Sequence, residues 1–217
     1  PYSTAPIAYT PEALVAVSER NRMIADPYTR LLVARDQVNQ AAAVLIASAE
    51  VAQELGIDPG RWVYLHGYSC VKERDIMSRE ELGASPAARL ACREALSAAR
   101  VKLDDIALFD LYSCFPIAVF NICDGLGLSP QDPRGLTVTG GLPYFGGPGN
   151  SYSTHAIASM VEKLRERDGA FGFIGANGGH MSKYAVGIYS TRPAEFSRCD
   201  STALQSQVDS WPARIVA

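Results

Sequence analysis

Apolar and polar positions along this 217-residue chain switch between a period near two and a period near 3.6, and the switches mark its elements. Trp62–Tyr68, Ile106–Tyr112, Ala170–Gly175 and Lys183–Ser190 are short runs rich in aromatic and β-branched residues, as strands are. Ala41–Ala47 is a nearly continuous apolar run, which suits a central strand covered on both faces, with a buried helix as the alternative. Helical signals separate these runs. Thr10-Pro11 opens one that reaches about Arg20–Ile24, with Thr10 as N-cap and Pro11 at the first position. A second covers Ala49–Leu55 and ends at Gly56. Ser85-Pro86 opens the clearest one, with Ala87, Leu90, Ala91, Ala95 and Ala98 on one face and Arg89, Arg93 and Arg100 on the other. Further helices are expected over Phe115–Gly125 and Thr154–Arg167, while the charged stretch Lys72–Gly83 should be exposed. The last two strands are close enough to pair as a hairpin. The order predicts an α/β fold: a mixed five-stranded sheet covered by helices, with chemistry at the strand ends.

One stretch breaks the periods. Gly140 to Ser159 holds Gly140, Gly141, Gly146, Gly147 and Gly149, together with Pro143, Pro148 and His155. Without Cβ atoms, such a loop lets backbone N–H groups approach an anion or a carbonyl oxygen. A surface loop with no chemistry fits the same composition equally well. Tyr112-Ser113-Cys114 lies where a strand passes into a helix. A Cys there can be nucleophilic, but no base lies near it in sequence, so a packed Cys114 is favoured and Tyr112 is the better polar candidate. His155 can serve as acid, base or oxyanion donor, or cap its helix. Asn177 offers an amide and Gly178 and Gly179 offer backbone donors, although Asn-Gly is also an ordinary hairpin turn. The three histidines, His66, His155 and His180, have no metal-ligand spacing, so no metal is expected.

Composition narrows the class. The chain is 47% hydrophobic and 20% charged with a net charge of −3, which fits a globular protein and argues against a nucleic-acid surface. No stretch is long and apolar enough for a membrane span. The first residues lack the basic and apolar regions of a signal peptide. They also lack an initiator Met, as expected of a piece or a processed chain. Five cysteines without paired spacing predict free thiols in a reducing, cytoplasmic setting.

Several segments in this order resemble the C-terminal half of a thiolase, and most closely the sterol-carrier-type thiolases and thiolase-like proteins. Arg22-Met23-Ile24-Ala25-Asp26-Pro27 followed by Gln40–Val44 resembles the family's lead into the first C-terminal strand. Asp110-Leu111-Tyr112-Ser113-Cys114-Phe115 resembles its His/Asn-acidic-Cys/Ala-Phe loop. Gly140-Gly141-Leu142 to Gly147-Pro148 resembles its Gly-Gly…Gly-His-Pro loop, and Gly175–Tyr189 its last hairpin. The resemblance implies residues 1–25 as a lead-in from an N-terminal half, 26–191 as the thiolase-like domain, and 192–217 as the start of a further segment. It implies acyl-CoA as substrate or ligand, no covalent cofactor, and the N-terminal thiolase half as partner. It implies acetyl-CoA acetyltransferase-type chemistry, with a substrate loop at Gly140, Gly141, Gly146, Gly147, Pro148, Gly178 and Gly179. Departures from the pattern bear on that chemistry. The activating His position falls on Gly147, the second catalytic Cys or His on Ala176, and Tyr112 and Ser113 replace the family's His/Asn and acidic residue. Tyr112, His155 and Asn177 are the remaining catalytic candidates. Two alternatives follow: a non-catalytic acyl-CoA- or partner-binding module, and a Tyr-dependent retro-aldolase acting on CoA esters.

Overall fold

A computed structural model describes residues 2–195 and 198–214. In chain order its elements are α1 (Pro11–Val15), β1 (Met23–Ala25), β2 (Tyr28–Thr29), α2 (Ala49–Glu54), β3 (Tyr64–Lys72), α3 (Pro86–Ala99), β4 (Ile106–Leu111), α4 (Pro116–Leu126), α5 (Tyr152–Arg165), β5 (Phe171–Gly178), β6 (Lys183–Ser190) and α6 (Ser201–Asp209). The main sheet has the order β3-β6-β5-β4. β4 and β5 run parallel, and β6 is antiparallel to both of its neighbours. The hairpin expected from the two closing runs is the β5–β6 pair.

This sheet has four strands, not five. Ala41–Ala47 is in no ladder, and Leu45 and Ile46 are 77% and 88% exposed. An apolar run specifies burial, but a strand also needs an edge to pair with, and none of the described strands lies alongside it. The first helix is also shorter than its pattern. The Asn21 amide donates to the carbonyls of Ala13, Leu14 and Ala16, taking the acceptors that a longer helix would use internally.

Alternation along the strands divides the core into two layers. Phe109, Leu111, Phe173, Tyr184, Val186 and Ile188 pack with α3, α4 and α6 on one face. Leu108 and Ile174 pack on the other against Tyr152, Ala156, Met160 and Leu164 of α5, and against Leu142 and Phe145 of the Gly-rich loop. α3 lies so close to β3 that a Cβ on Gly67 would stand 2.5 Å from the Ala95 carbonyl oxygen and from the Ala99 nitrogen.

The stretch after residue 192 returns to this core. α6 buries Leu204 and Val208 in the core where it packs on β3; each such burial is worth about 1.5–3 kcal/mol. The Gln205 amide accepts the Lys72 N–H and donates to the Lys72 carbonyl, occupying one position of the β3 edge. Within the charged stretch before α3, Arg79 is buried rather than exposed, because its guanidinium donates to the Arg74 and His180 carbonyls. Buried guanidinium N–H groups need acceptors, and the hairpin turn supplies one of them.

Candidate active-site region

The C-terminal ends of the parallel strands β4 and β5 point the same way, and the chemistry-bearing loops gather there. Tyr112, Ser113 and Cys114 follow β4 directly, and Asn177 lies near the end of β5. The Gly-rich loop lies against them and leads into α5. Gly140, Gly141, Gly146 and Gly149 all have positive φ, between 61° and 129°, which explains the concentration of glycine in this loop.

A buried carboxylate holds the loop. Asp110 has no exposed surface, and its alternating position turns it toward α5. Its Oδ2 accepts Thr137 Oγ1 at 2.9 Å, the Val138 N–H at 3.0 Å, the Thr139 N–H at 3.1 Å and Thr139 Oγ1 at 3.0 Å. Its Oδ1 accepts Tyr152 Oη at 2.9 Å. The threonine hydroxyls in turn accept the next two amides: Gly140 N–H to Thr137 Oγ1 at 3.0 Å, and Gly141 N–H to Thr139 Oγ1 at 3.2 Å. The Leu142 N–H goes to Ser113 Oγ at 3.1 Å, and the Gly147 N–H to the Arg35 carbonyl at 2.7 Å. Burial pushes the Asp110 carboxyl upward from its usual range, while the donors pull it down.

Of the loop amides expected to face a ligand, those of Gly140, Gly141 and Gly147 therefore have partners inside the protein. The Gly146 and Gly149 N–H groups have no partner among the described residues. A Cβ at Gly147 would stand 3.2 Å from Ala34 Cβ and 3.3 Å from the Arg35 carbonyl oxygen, so a side chain there would start against the 34–35 segment.

Cys114 is the meeting point of the remaining candidates. Asn177 Nδ2 donates to its Sγ at 3.6 Å, and Asn177 Oδ1 is buried without a partner. Burial raises the Cys114 thiol, a rise opposed by the Asn177 bond. Burial also raises the Tyr112 hydroxyl, with a further push from Cys114. The Tyr112 ring stands edge-on to Tyr152 at 5.4 Å. His155 is not brought to this group. It is buried 5.2 Å from the Phe145 ring, Nε2 has no partner, and burial lowers its pKa. His180 is exposed in the hairpin turn beside Gly179, and Gly178 is the last residue of β5.

Beside the loop a cavity of about 260 Å³ opens between Leu14, Leu31, Pro116, Leu136, Gly140 and Tyr144, with no charged residue in its lining. Sequence reading missed Asp110, Thr137 and Thr139. The available signal was a lone carboxylate inside the apolar run Ile106–Leu111. Among the described residues, no cluster of three or more His, Cys, Asp or Glu could hold a metal, and no helix is long and apolar enough to cross a membrane.

A four-stranded mixed sheet between helical layers, with a Gly-rich loop across the β4 and β5 ends, is a thiolase-like arrangement. The chain belongs to the thiolase superfamily, among its sterol-carrier-type members. Its fold matches the crystal structure of a monomeric SCP2-thiolase like protein type 1 from Mycobacterium smegmatis with a TM-score of 0.95 and 53% identity, over 100% of this chain and 48% of that one. It is 27% identical over 197 residues to a 3-ketoacyl-CoA thiolase of Pectobacterium carotovorum subsp. carotovorum (strain PC1), covering 76% of this chain and 43% of that protein. The chain thus spans less than half the length of either relative. No protein-family model matches it.

Proposed function

We propose that the chain is the C-terminal part of a thiolase-like protein that binds CoA thioesters without condensing or cleaving them by the usual thiolase route. The reading rests above all on Gly147 and Ala176 standing where the family has its activating His and second catalytic residue, with Tyr112 and Cys114 at the strand ends disfavoured as anions by burial. The Tyr112 and Cys114 pKa values are raised and that of His155 is lowered, each chiefly by burial. A general base must hold its lone pair free near working pH and reach the proton it takes. No bond or ring contact joins His155 to Tyr112 or Asn177. Gly147 and Ala176, which stand at the positions of the family's activating His and second catalytic residue, cannot accept a proton.

The CoA thioester is the ligand class carried by the name of the curated relative. The uncharged cavity beside Gly140 and Gly141 suits the hydrocarbon part of such a ligand. The Gly146 and Gly149 N–H groups are the donors left to meet its carbonyl. Residues 26–191 carry this role together with an N-terminal thiolase half that completes the site, and α6 packs back on the same core. Five free thiols fit a cytoplasmic setting.

Calorimetry of the intact protein with acetyl-CoA and with CoA tests the reading. The expected result is saturable binding with no thiolysis or condensation. Absence of binding removes the ligand assignment, and turnover removes the claim that the chemistry is lost.

A further inference from the structure

The Asp110 carboxylate receives five hydrogen bonds and lies outside the row of residues gathered at the strand ends. Among the described residues no cation pairs with it. A buried charge without a counter-ion is costly unless donors surround it, so the donors and the carboxylate fix one another. Four of the five come from Thr137–Thr139, and the fifth from the first residue of α5. The bonds are arranged in two tiers: carboxylate to threonine hydroxyls, then hydroxyls to the Gly140 and Gly141 amides. Both glycines have positive φ, a conformation that glycine reaches at no steric cost and does not by itself hold.

We propose that Asp110 is the positioning residue of the candidate site: its carboxylate, acting through Thr137 and Thr139, sets the conformation of the Gly140–Gly141 turn. From the preceding section the proposal takes only that this turn faces the ligand. The direction of the threonine hydroxyls follows from their placement. Thr137 Oγ1 and Thr139 Oγ1 lie 2.9 and 3.0 Å from Oδ2, each placed to donate to the carboxylate, and Tyr152 Oη, 2.9 Å from Oδ1, also lies 2.7 Å from Thr139 Oγ1. The threonine oxygens are then left as acceptors, which is what the Gly140 and Gly141 N–H groups require. The Tyr152 ring touches Tyr112 edge-on and Phe145 at 6.0 Å, so the same carboxylate also steadies one wall of the site.

The test is hydrogen exchange of the intact protein, read separately for the 136–146 segment and for the β5–β6 hairpin. Asp110→Asn should speed exchange at Gly140 and Gly141 about tenfold or more while leaving the hairpin protected. Should that variant fail to fold, Thr139→Val and Thr139→Ser answer the same question. The valine keeps the shape without the hydroxyl and should loosen the turn, whereas the serine restores the hydroxyl and should restore protection. Equal exchange in the valine and serine variants, or an unchanged turn in folded Asp110→Asn, would overturn the proposal. Acetyl-CoA affinity measured on the same variants is a separate arm: absence of binding in the parent protein bears on the ligand assignment, whereas the exchange result bears on the anchor.

Discussion

Tyr152 Oη donates to Asp110 Oδ1 at 2.9 Å, tying the first residue of α5 to a carboxylate 42 positions earlier on β4. Both groups are buried, Tyr152 at 1% exposure and Asp110 at 0%. Removing the hydroxyl takes away the donor that Oδ1 has among the described residues. Tyr152→Phe should cost about 2 kcal/mol of stability, the usual penalty for stranding a buried acceptor. Urea denaturation measures this directly, and a loss below about 0.5 kcal/mol would show that the oxygen finds another partner.

Tyr112 offers a sharper test of the retro-aldolase alternative. A tyrosine base needs its hydroxyl lowered toward neutrality, and burial raises this one instead. The difference between the ultraviolet pH titrations of the parent protein and Tyr112→Phe should place the Tyr112 ionisation above 10. A midpoint near 8 would revive Tyr112 as a proton acceptor.

The acid limb of stability should carry the signature of Asp132. Hydrogen bonds from Arg134 hold its carboxyl down to about 2. The same guanidinium also donates to the Leu103 and Ile106 carbonyls. The folded pKa lies below the unfolded one, so this contribution is present above about 4 and is lost as pH falls from about 4 toward 2. Asp132→Asn should flatten the fall in melting temperature across that interval. An identical slope in parent and variant would mean that the pair adds nothing at this surface.

Thiol labelling separates a packed cysteine from a nucleophile. Cys70 is exposed and Cys92 is buried, while burial raises Cys123 to about 11. Cys114 is partly accessible, but its thiolate is disfavoured by burial. With iodoacetamide at pH 8, Cys70 should modify first and Cys114 should lag well behind. Preferential capture of Cys114 would make it a nucleophile and contradict the proposed loss of chemistry.

Much of the fold was legible in the sequence because its signals are local. Proline at the first position of α3 and α4, the strand runs Ile106–Leu111 and Lys183–Ser190, and the short hairpin connection each depend on neighbours along the chain. The order of motifs likewise carried the resemblance that the solved relative supports at 53% identity. Ala41–Ala47 was misread for the converse reason: its apolar character is local, but its pairing is not, and no described strand lies beside it. The short α1 depended on Asn21, several residues beyond the helix.

At the candidate site, sequence alone singled out the Gly-rich loop, set Tyr112 and Cys114 where a strand passes into a helix, and set Asn177 in the hairpin turn, whereas the structure has it within β5. Tertiary structure decided what each could do. It joined Asn177 to Cys114 across 63 positions and turned His155 into a hydrophobic contact. It also engaged the Gly140 and Gly141 amides through threonines held by Asp110. Residue type and spacing fix which groups can ionise or donate. Only the fold fixes their partners and their access to water, and so which of them is left for a ligand.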